Sequence, residues 1–320
     1  LKYRWGHGDR SLLEFARPLL DPDSLLKGID RKMLRDAYIS PKPLAKLLII
    51  KRAVSTLKEG KIKDLVRLAI AGILIPSSNV RFGPGFGLVK PIEDVDVVAL
   101  FRRKVNTMIG DLEYAQRMEG LGRAEAVVGD TRRLGNIRGN KVFDHMITSP
   151  PYPGDHEYTR HTRLELVFLD FVKTIADLRA IKKRMIRGST RNIYVEDQER
   201  NHIMKFPEIV RLMRKIGRRV VETRGTSGFE KLYEKLVGEY FGGMYVSLQQ
   251  IYDSLEPGGT AAFLVGDSHA FKMVHIETAK LLGKLATDIG FRKYEIELWQ
   301  NKRSTSHSLP LPENILDLKK

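Results

Sequence analysis

In the first part of the chain the apolar positions recur every three or four residues, the spacing of one face of an α-helix. Residues 44–53 and 65–73 show this spacing, and a charged helix is expected over residues 94–118. The pattern predicts that residues 1–120 form a helical region. We expect this region to bind substrate or to pack over the sheet of the domain that follows.

From about residue 121 short apolar runs alternate with helical segments. Strands are predicted at residues 126–128, 142–148, 260–265, 292–299 and 314–318. Helices are predicted at residues 162–172, 207–221, 229–255 and 276–289. Alternation of this kind predicts an α/β domain, residues 121–320, with a mostly parallel sheet and helices on both faces. Ligands of such sheets bind beyond the carboxyl ends of the strands.

The chain is strongly basic, with a formal net charge of +16, and it contains no cysteine. The absence of cysteine excludes disulfides, thiolate zinc sites and cysteine nucleophiles. A solvated surface is the ordinary meaning of many charges, but an excess of this size favours binding to a polyanion. Charge alone does not distinguish DNA from RNA or from an acidic membrane surface. The histidines show no paired spacing with carboxylates, so no metal site is predicted.

Membrane and targeting signals are not found in the sequence. The apolar run at residues 68–75 is too short to cross a membrane and ends at Pro76. The N-terminus has no signal-peptide pattern, so we expect a cytoplasmic protein without membrane contact. Because the chain begins with Leu1, we also expect that further residues precede it.

The most informative stretch follows the predicted strand at residues 142–148 and consists of Ser149, Pro150, Pro151 and Tyr152. A proline-rich turn that merely ends a strand is one interpretation. An apolar strand that leads directly to the carboxyl edge of the sheet favours a functional loop instead.

This run resembles motif IV of the amino-methyltransferases that act on DNA. Ser-Pro-Pro-Tyr is typical of their cytosine-N4 enzymes, and Asp-Pro-Pro-Tyr of many adenine-N6 enzymes. The resemblance covers roughly residues 35–319 and implies a Rossmann-like methyltransferase sheet, S-adenosyl-L-methionine as cofactor and DNA as substrate. Further runs that resemble one branch of this family are residues 153–155, 158–160, 163–166, 188–192 and 226–230.

The chemistry of amine methylation gives an independent reason for these residue types. An exocyclic amine is a poor nucleophile because its lone pair is delocalised into the ring of the base. The Ser149 hydroxyl and the Pro150 carbonyl can accept hydrogen bonds from the amine, which localises and aims the lone pair. Pro150 and Pro151 stiffen the loop and remove competing backbone donors. Tyr152 offers a ring on which an extrahelical base can stack.

The resemblance places cofactor-binding residues after the first predicted strand. Gly129, Asp130 and Thr131 match the family's cofactor-adenine position, and Thr148 is grouped with them. An ordinary turn in which Asp130 caps the next helix is an open alternative. The turn at Asp267 has the same local shape and, by the resemblance, lies beside the substrate pocket.

Two cofactor-binding features of the family are not found in this sequence. One is a Phe-x-Gly-x-Gly loop whose backbone approaches the cofactor, and the other is an acidic residue that holds the ribose. The predicted strands match only the third to seventh of the family's seven-strand sheet. We therefore expect the cofactor-binding part to lie upstream of Leu1 or on a partner chain, and cofactor binding by this chain alone to be weak.

Basic side chains are concentrated in residues 180–255, which we expect to be an insertion in the catalytic domain. Four of them recur at helical spacing and predict one basic stripe. A solvated helix face is the usual meaning of such a stripe, but phosphate contact is favoured in a chain this basic. The residues expected to contact DNA are Arg187, Arg191, Asn192, Arg211, Arg214, Lys215 and Arg218.

Together these features predict site-specific methylation of an exocyclic base amine in DNA, as in restriction–modification. Ser149 favours cytosine N4 over adenine N6. Two alternatives stay open. One is a methyltransferase that acts on a base amine in RNA or tRNA through a similar proline loop. The other is a nucleic-acid-binding subunit, or half of a split enzyme, that is inactive without its partner.

Overall fold

The chain divides into two compact units. The computed structural model describes residues 38–320 except 83–85, 140–141, 155–156, 224 and 304–308, so residues 1–37 of the predicted helical region lie outside the described residues. Unit 1 contains the described residues up to Ala124 together with Thr159–Arg179, and unit 2 contains Glu125–Tyr158 and Ala180–Lys320. The sequence predicted a boundary near residue 120, whereas the structure also packs Thr159–Arg179 into unit 1.

The predicted helices are formed, with ends that differ by several residues in places. The helix at residues 175–183 was not expected from the sequence. In chain order the described helices are α1 (Pro41–Ser55), α2 (Lys61–Leu74), α3 (Val97–Arg117), α4 (Gly135–Arg138), α5 (Tyr158–His161), α6 (Arg163–Phe168), α7 (Ile175–Lys183), α8 (Pro207–Glu222), α9 (Tyr233–Ser254) and α10 (Thr278–Ile289).

Strands form one main sheet and two small hairpins. The hairpins β1–β2 and β5–β6 are antiparallel, and neither was predicted. In chain order the described strands are β1 (Val80–Phe82), β2 (Phe86–Leu88), β3 (Phe143–Thr148), β4 (Leu255–Gly266), β5 (Ser268–Phe271), β6 (Val274–Ile276), β7 (Lys293–Arg303) and β8 (Pro310–Lys319).

Unit 1 is a small helical unit with its own apolar core. The helices α1, α2 and α6 each turn one apolar face inward, whereas α3 buries only its first residue, Val97. The Asp96 side chain caps α3 by accepting a hydrogen bond from the backbone N–H of Ala99. No helix among the described residues is long and apolar enough to cross a membrane.

The main sheet of unit 2 has the strand order β3-β4-β8-β7. β3 runs parallel to β4, and β8 runs antiparallel to both β4 and β7. The four strands predicted from residue 142 onward are therefore confirmed, including the adjacent parallel pair. The expectation of a mostly parallel sheet is wrong for the described strands, since the sheet is mixed. An α/β unit with a mixed central sheet and helices is compatible with a methyltransferase fold.

The predicted strand at residues 126–128 is not formed. Residues 121–130 have no regular secondary structure, and the side chains of Val127 and Val128 are 60% and 88% exposed. A strand requires a neighbour that accepts and donates its backbone hydrogen bonds. No described strand pairs with this segment, so its apolar sequence alone does not produce a strand.

The main sheet is well covered on one face and more open on the other. Phe263, Val265 and Leu316 point into the core of unit 2, beneath α9 and α10. On the opposite face Ile147 of β3 is 86% exposed, and Leu264 is only partly buried. Among the described strands β3 pairs with β4 alone, so its second edge also has no strand partner.

The central helix of unit 2 is α9, which is buried along most of its length. Gly242 lets this helix approach the 3₁₀ turn Glu199–Ile203 backbone to backbone. A Cβ at Gly242 would lie 2.0 Å from the Glu199 carbonyl oxygen, which is far inside van der Waals contact. A Cβ at the next glycine, Gly243, would meet Ile186 at an ordinary 3.7 Å.

These two glycines make a matched pair for a stability test. Gly242→Ala is expected to lower the free energy of unfolding by about 1–3 kcal/mol, because the backbone of Glu199 must move. Gly243→Ala is expected to raise it by about 0.5–1 kcal/mol, because alanine is the better helix former. Urea denaturation measures both changes. Equal effects of the two substitutions would refute the close approach of α9 to the Glu199–Ile203 turn.

Candidate active site

The proline loop lies at the carboxyl end of β3, as the sequence predicted. β3 ends at Thr148, and residues 149–152 follow as an irregular segment that we call the 149–152 loop. The Ser149 hydroxyl is exposed and donates a hydrogen bond to the Leu264 carbonyl oxygen at 3.3 Å. A hydroxyl that donates its hydrogen bond to a backbone carbonyl can still accept a hydrogen bond through its lone pairs. Pro150 is buried and anchors the loop.

The Tyr152 ring is held by two contacts with other strands. The Cδ2–Cε2 side of the ring lies against Gly266, the last residue of β4, where a Cβ would come within 2.8 Å of the ring. Its hydroxyl donates a 2.6 Å hydrogen bond to Glu313 of β8, whose side chain is buried. The ring is therefore fixed at the edge of the sheet where β3 and β4 end and β8 begins, and it stays partly exposed.

The segment at residues 188–192 packs against the 149–152 loop and the residues that follow it. The backbone N–H of Gly154 donates to the Gly188 carbonyl oxygen at 3.0 Å. A Cβ at Gly188 would lie 3.2 Å from the Cβ of Pro151, so only glycine fits there without movement. The runs at residues 149–152 and 153–155, which resemble the amino-methyltransferase family, thus both contact the run at residues 188–192. Asp155, the last residue of the second run, lies outside the described residues.

Arg187 is placed inside the protein and not on a DNA-facing surface. Its guanidinium makes a two-point ion pair with Asp197, with distances of 2.9 and 2.7 Å. It also donates to the carbonyl oxygens of Lys182 and Met185 at 3.0 and 2.6 Å. Because both partners of the ion pair are buried, Arg187 cannot reach a phosphate, and the prediction of a DNA contact is wrong for this residue.

Asn192 is buried as well, and it has a local role. Its side chain closes a capping box with Ser189 and donates to the Ile186 carbonyl oxygen at 3.2 Å. Its prediction as a DNA contact is therefore also wrong. Arg191, in contrast, is exposed and lies over the ring of Phe229, itself 59% exposed, with 5.9 Å to the ring centroid. Of the three residues, Arg191 alone presents its side chain to solvent.

Asp130 is engaged within its own turn. It caps the 3₁₀ turn Thr131–Arg133 through the backbone N–H of Arg132 and binds the Arg132 guanidinium at 3.0 and 2.7 Å. Burial opposes ionisation of Asp130, but the hydrogen bonds from Arg132 outweigh it and hold the pKa of this carboxyl below its ordinary value. Arg132 also pairs with Glu199. The geometry is that of the capping alternative raised from the sequence.

The residues beside Asp130 tie this turn to the core helix. The Thr131 hydroxyl lies 3.1 Å from the Ser247 hydroxyl of α9. A Cβ at Gly129 would lie 1.9 Å from the terminal methyl group of Ile137, so a larger residue would require that side chain to move. The cofactor roles of Gly129, Asp130, Thr131 and Thr148 therefore stay predictions.

The turn after β4 holds a small polar cluster. Asp267 lies 2.8 Å from His275 and accepts a 3.1 Å hydrogen bond from the backbone N–H of Thr278, at the start of α10. Burial raises the pKa of Asp267 above its ordinary value, although the hydrogen bond with His275 opposes the shift. The His275 ring stacks on that of His269, with centroids 4.4 Å apart. Among the described residues no group of three or more His, Asp or Glu side chains could hold a metal ion.

The predicted basic stripe is formed on the outer face of α8. The inner face of this helix buries Ile209, Met213, Ile216 and Val220. The four basic residues point outward and line a surface depression of about 910 Å³, together with Glu222 and Glu234. The residues of the stripe are Arg211, Arg214, Lys215 and Arg218.

The residues that sequence reasoning missed act through long-range contacts. Glu313 lies 161 positions from Tyr152, and Gly266 and Gly188 are single glycines whose partners are distant in sequence. No local pattern marks Glu313. Gly188 lies in the run 188–192 that resembles the family, and Gly266 lies in the turn at Asp267, but their contacts with the 149–152 loop follow only from the tertiary structure.

The chain is similar to Type II methyltransferase M.BsoBI from Geobacillus stearothermophilus. The two proteins are 26% identical over 188 residues, which cover 52% of this chain and 35% of the other protein. The matched part thus spans about a third of the length of that relative. No protein-family model matches the chain, and no solved structure matches it.

The contrasting positions of Arg187 and Arg191 lead to a second test. Arg187→Ala is expected to lower the free energy of unfolding by about 3–5 kcal/mol, because it leaves the Asp197 carboxylate buried without its partner. Arg191→Ala is expected to change it by less than about 0.5 kcal/mol, because the side chain is exposed. Chemical denaturation compares the two. An Arg187→Ala variant as stable as Arg191→Ala would contradict the buried ion pair.

Proposed function

We propose that this chain forms the part of an S-adenosylmethionine-dependent methyltransferase that holds the target base. The enzyme modifies an exocyclic amine in DNA, with cytosine N4 as the amine. The similarity to a type II methyltransferase supports DNA methylation in general. The observation that carries the proposal is the 149–152 loop, which lies at the carboxyl end of β3 with its serine hydroxyl exposed.

The geometry of the loop suits the recognition of an amine. Ser149 donates its proton to Leu264, so its oxygen accepts a hydrogen bond from the NH₂ group of the base. A second acceptor is the carbonyl oxygen of Pro150. Two acceptors on one amine localise its lone pair and direct it toward the methyl donor. Loss of the methyl group would leave the donor's sulfur as a neutral thioether, and the extra proton of the methylated amine would pass to solvent water.

The Tyr152 ring gives the extrahelical base a surface on which to stack. The ring is fixed by Gly266 and Glu313 before any substrate arrives, so less conformational entropy is lost on binding. Stacking on an aromatic ring contributes about 1–3 kcal/mol per base in proteins that bind single strands. The base is thereby held flat while Ser149 orients its amine.

The described residues do not form a complete site for S-adenosylmethionine. Asp130, which the family resemblance places at the cofactor adenine, is committed to Arg132 and to the cap of its own turn. No strand is formed at residues 126–128. We therefore assign the cofactor, which supplies the methyl group, to a complementary part of the domain, upstream in the same protein or on a partner chain.

The open side of the main sheet offers this complementary part a place to bind. β3 has an edge without a described strand partner, and Ile147 beside it is 86% exposed. An unpaired edge readily accepts another strand through backbone hydrogen bonds. The similarity to only about a third of a longer methyltransferase is in keeping with a domain completed by residues outside this match.

DNA contact is assigned to the stripe on α8 and to Arg191. The stripe places four positive side chains on one exposed helix face, near the two carboxylates of Glu222 and Glu234. Such a surface binds phosphates without reading the sequence, and its contribution weakens with salt. Arg191 belongs to the segment packed against the 149–152 loop, so its contact with DNA would lie next to the target base.

Substitution of Ser149 tests the catalytic assignment. In the complete protein with its cofactor, Ser149→Ala is expected to lower turnover about 10²-fold, as does the loss of one preorganised polar contact in other enzymes. DNA affinity is expected to stay nearly unchanged because phosphate contacts dominate it. Transfer of labelled methyl groups to duplex DNA, with tRNA tested in parallel, measures turnover and identifies the substrate. Wild-type turnover in Ser149→Ala would remove the 149–152 loop from the mechanism.

Arg214→Gln is the matched control for this experiment. It is expected to weaken DNA binding and to reduce the salt dependence of binding by about one phosphate, with turnover at saturating DNA unchanged. Transfer of methyl groups to tRNA and not to DNA would replace the proposed substrate by RNA. Mass spectrometry of the digested product distinguishes cytosine N4 from adenine N6.

Cofactor binding tests whether a complementary part of the domain, outside this chain, completes the cofactor site. The isolated chain is expected to bind S-adenosylmethionine weakly in calorimetry, and the complete protein to bind it well. Ile147→Asp is expected to lower cofactor affinity of the complete protein at least about tenfold, because a buried unpaired carboxylate would oppose docking on β3. Val195→Asp, at a residue 95% exposed and outside the sheet, is the control. Tight cofactor binding by the isolated chain would overturn this assignment.

A further inference from the structure

Glu313 is a buried carboxylate at the active edge of the main sheet. Its side chain is 3% exposed and accepts hydrogen bonds from three groups. The Tyr152 hydroxyl donates at 2.6 Å, the Gln300 side-chain amide at 2.6 Å and the Lys302 ammonium at 2.5 Å. A buried carboxylate is costly unless its oxygens are satisfied, and these donors satisfy both.

The hairpin that carries Glu313 has an irregularity at the point where this network forms. Leu298 of β7 pairs with Asn314 of β8, but the next pair is Gln300 with Glu313, so Trp299 is an extra residue. Side chains alternate between the faces of a strand, and a bulge of one residue shifts this alternation. Without the bulge, Trp299 would lie opposite Glu313, and Gln300 and Lys302 would point to the other face.

We propose that Glu313 is a positioning residue for target-base methylation, which fixes and polarises the Tyr152 ring through its hydrogen bond to the phenol. This proposal rests on the proposed function of the 149–152 loop. Glu313 does not contact the base, and it acts through Tyr152 alone. The bulge at Trp299 places the side chains of Gln300 and Lys302 on the face of the hairpin that carries Glu313.

The contacts of the ring determine its orientation. Gly266 limits the ring on one side, and the hydrogen bond to Glu313 fixes the position of the hydroxyl at the far end of the side chain. Burial opposes ionisation of Glu313, but the hydrogen bonds from Lys302, Tyr152 and Gln300 outweigh it and hold the pKa of this carboxyl below its ordinary value. The acceptor of the Tyr152 proton is therefore an anion at neutral pH.

An anionic acceptor also affects the chemistry of the ring. A phenol that donates to a carboxylate has more electron density on its ring than a phenol that donates to water. The amine gains positive charge as the methyl group is transferred, and an electron-rich ring face attracts that charge. The interaction is stronger in the transition state than in the bound ground state, so it raises turnover more than affinity.

Substitutions of Glu313 and Tyr152 test this role in the complete protein. Glu313→Gln and Tyr152→Phe are each expected to lower kcat for DNA methylation about 10-fold to 100-fold, as small misplacements at reacting centres do. The KM for DNA is expected to change less than about twofold, because phosphate contacts dominate binding. The double variant is expected to be no slower than the slower single variant, since both changes remove one interaction.

Glu297→Gln is the matched control, because Glu297 is an exposed carboxylate on the same hairpin. It is expected to leave kcat and stability unchanged. Losses of kcat that add in the double variant would show that Glu313 acts independently of Tyr152 and would overturn the proposal. So would wild-type kcat in Glu313→Gln. If Glu313→Gln does not fold, Tyr152→Phe, which deletes one oxygen, still tests whether the hydrogen bond matters.

A measurement on the full chain separates this inference from the proposed function. With fluorotyrosine incorporated, the ¹⁹F resonance of Tyr152 is assigned by its loss in Tyr152→Phe. We expect Glu313→Gln to shift this resonance and Glu297→Gln to leave it in place. An unshifted resonance in Glu313→Gln overturns the positioning contact. A shifted resonance in a protein that methylates no nucleic acid supports the contact and refutes the proposed function instead.

Discussion

The parallel pairing of β3 with β4 is the constraint on which the candidate site depends. It brings the carboxyl ends of both strands to one edge, so the loop after Thr148 meets the end of β4 at Gly266. Because β8 pairs with β4 in the opposite direction, the first residues of β8 arrive at the same edge. The loop with Ser149 and Tyr152 is far from Glu313 in sequence, and the pairings of β4 with β3 and with β8 bring the two segments together.

Local patterns predicted the elements well and their environment poorly. The strand at Phe143–Thr148 and the loop after it were readable because apolar spacing and a proline motif are local signals. The strand expected at residues 126–128 failed because pairing depends on a neighbour, which local sequence does not report. The environments of Arg187 and Glu313 could not be predicted from local sequence either. A basic residue near a motif proved to be internal, and an unremarkable glutamate proved to hold the motif tyrosine, since burial and ion pairing are set by tertiary contacts.

The positive charge of the chain is divided between two uses. Arg132 and Arg187 form ion pairs within unit 2, where they join the turn after Gly129 and the segment around Gly188 to neighbouring elements. The arginines of α8 remain on the surface. The number of basic residues therefore overstates what is available to a polyanion, whereas the net charge of +16 already subtracts the carboxylates of these internal pairs. The internal arginines contribute to the shape of the site, and the surface arginines contribute to long-range attraction.

The bulge at Trp299 makes the length of β7 as important as its residues. Deletion of one residue here would restore regular pairing, and the alternation of side chains would then carry Gln300 and Lys302 away from Glu313. A single substitution changes one contact, whereas a one-residue deletion would remove two donors at once and leave the buried anion with the Tyr152 hydroxyl as the remaining one of its three donors. The hairpin can therefore vary in side chains on its open face, but insertions and deletions between Leu298 and Gln300 are expected to be excluded. The number of residues in β7, and not their identity alone, therefore determines how Tyr152 is held.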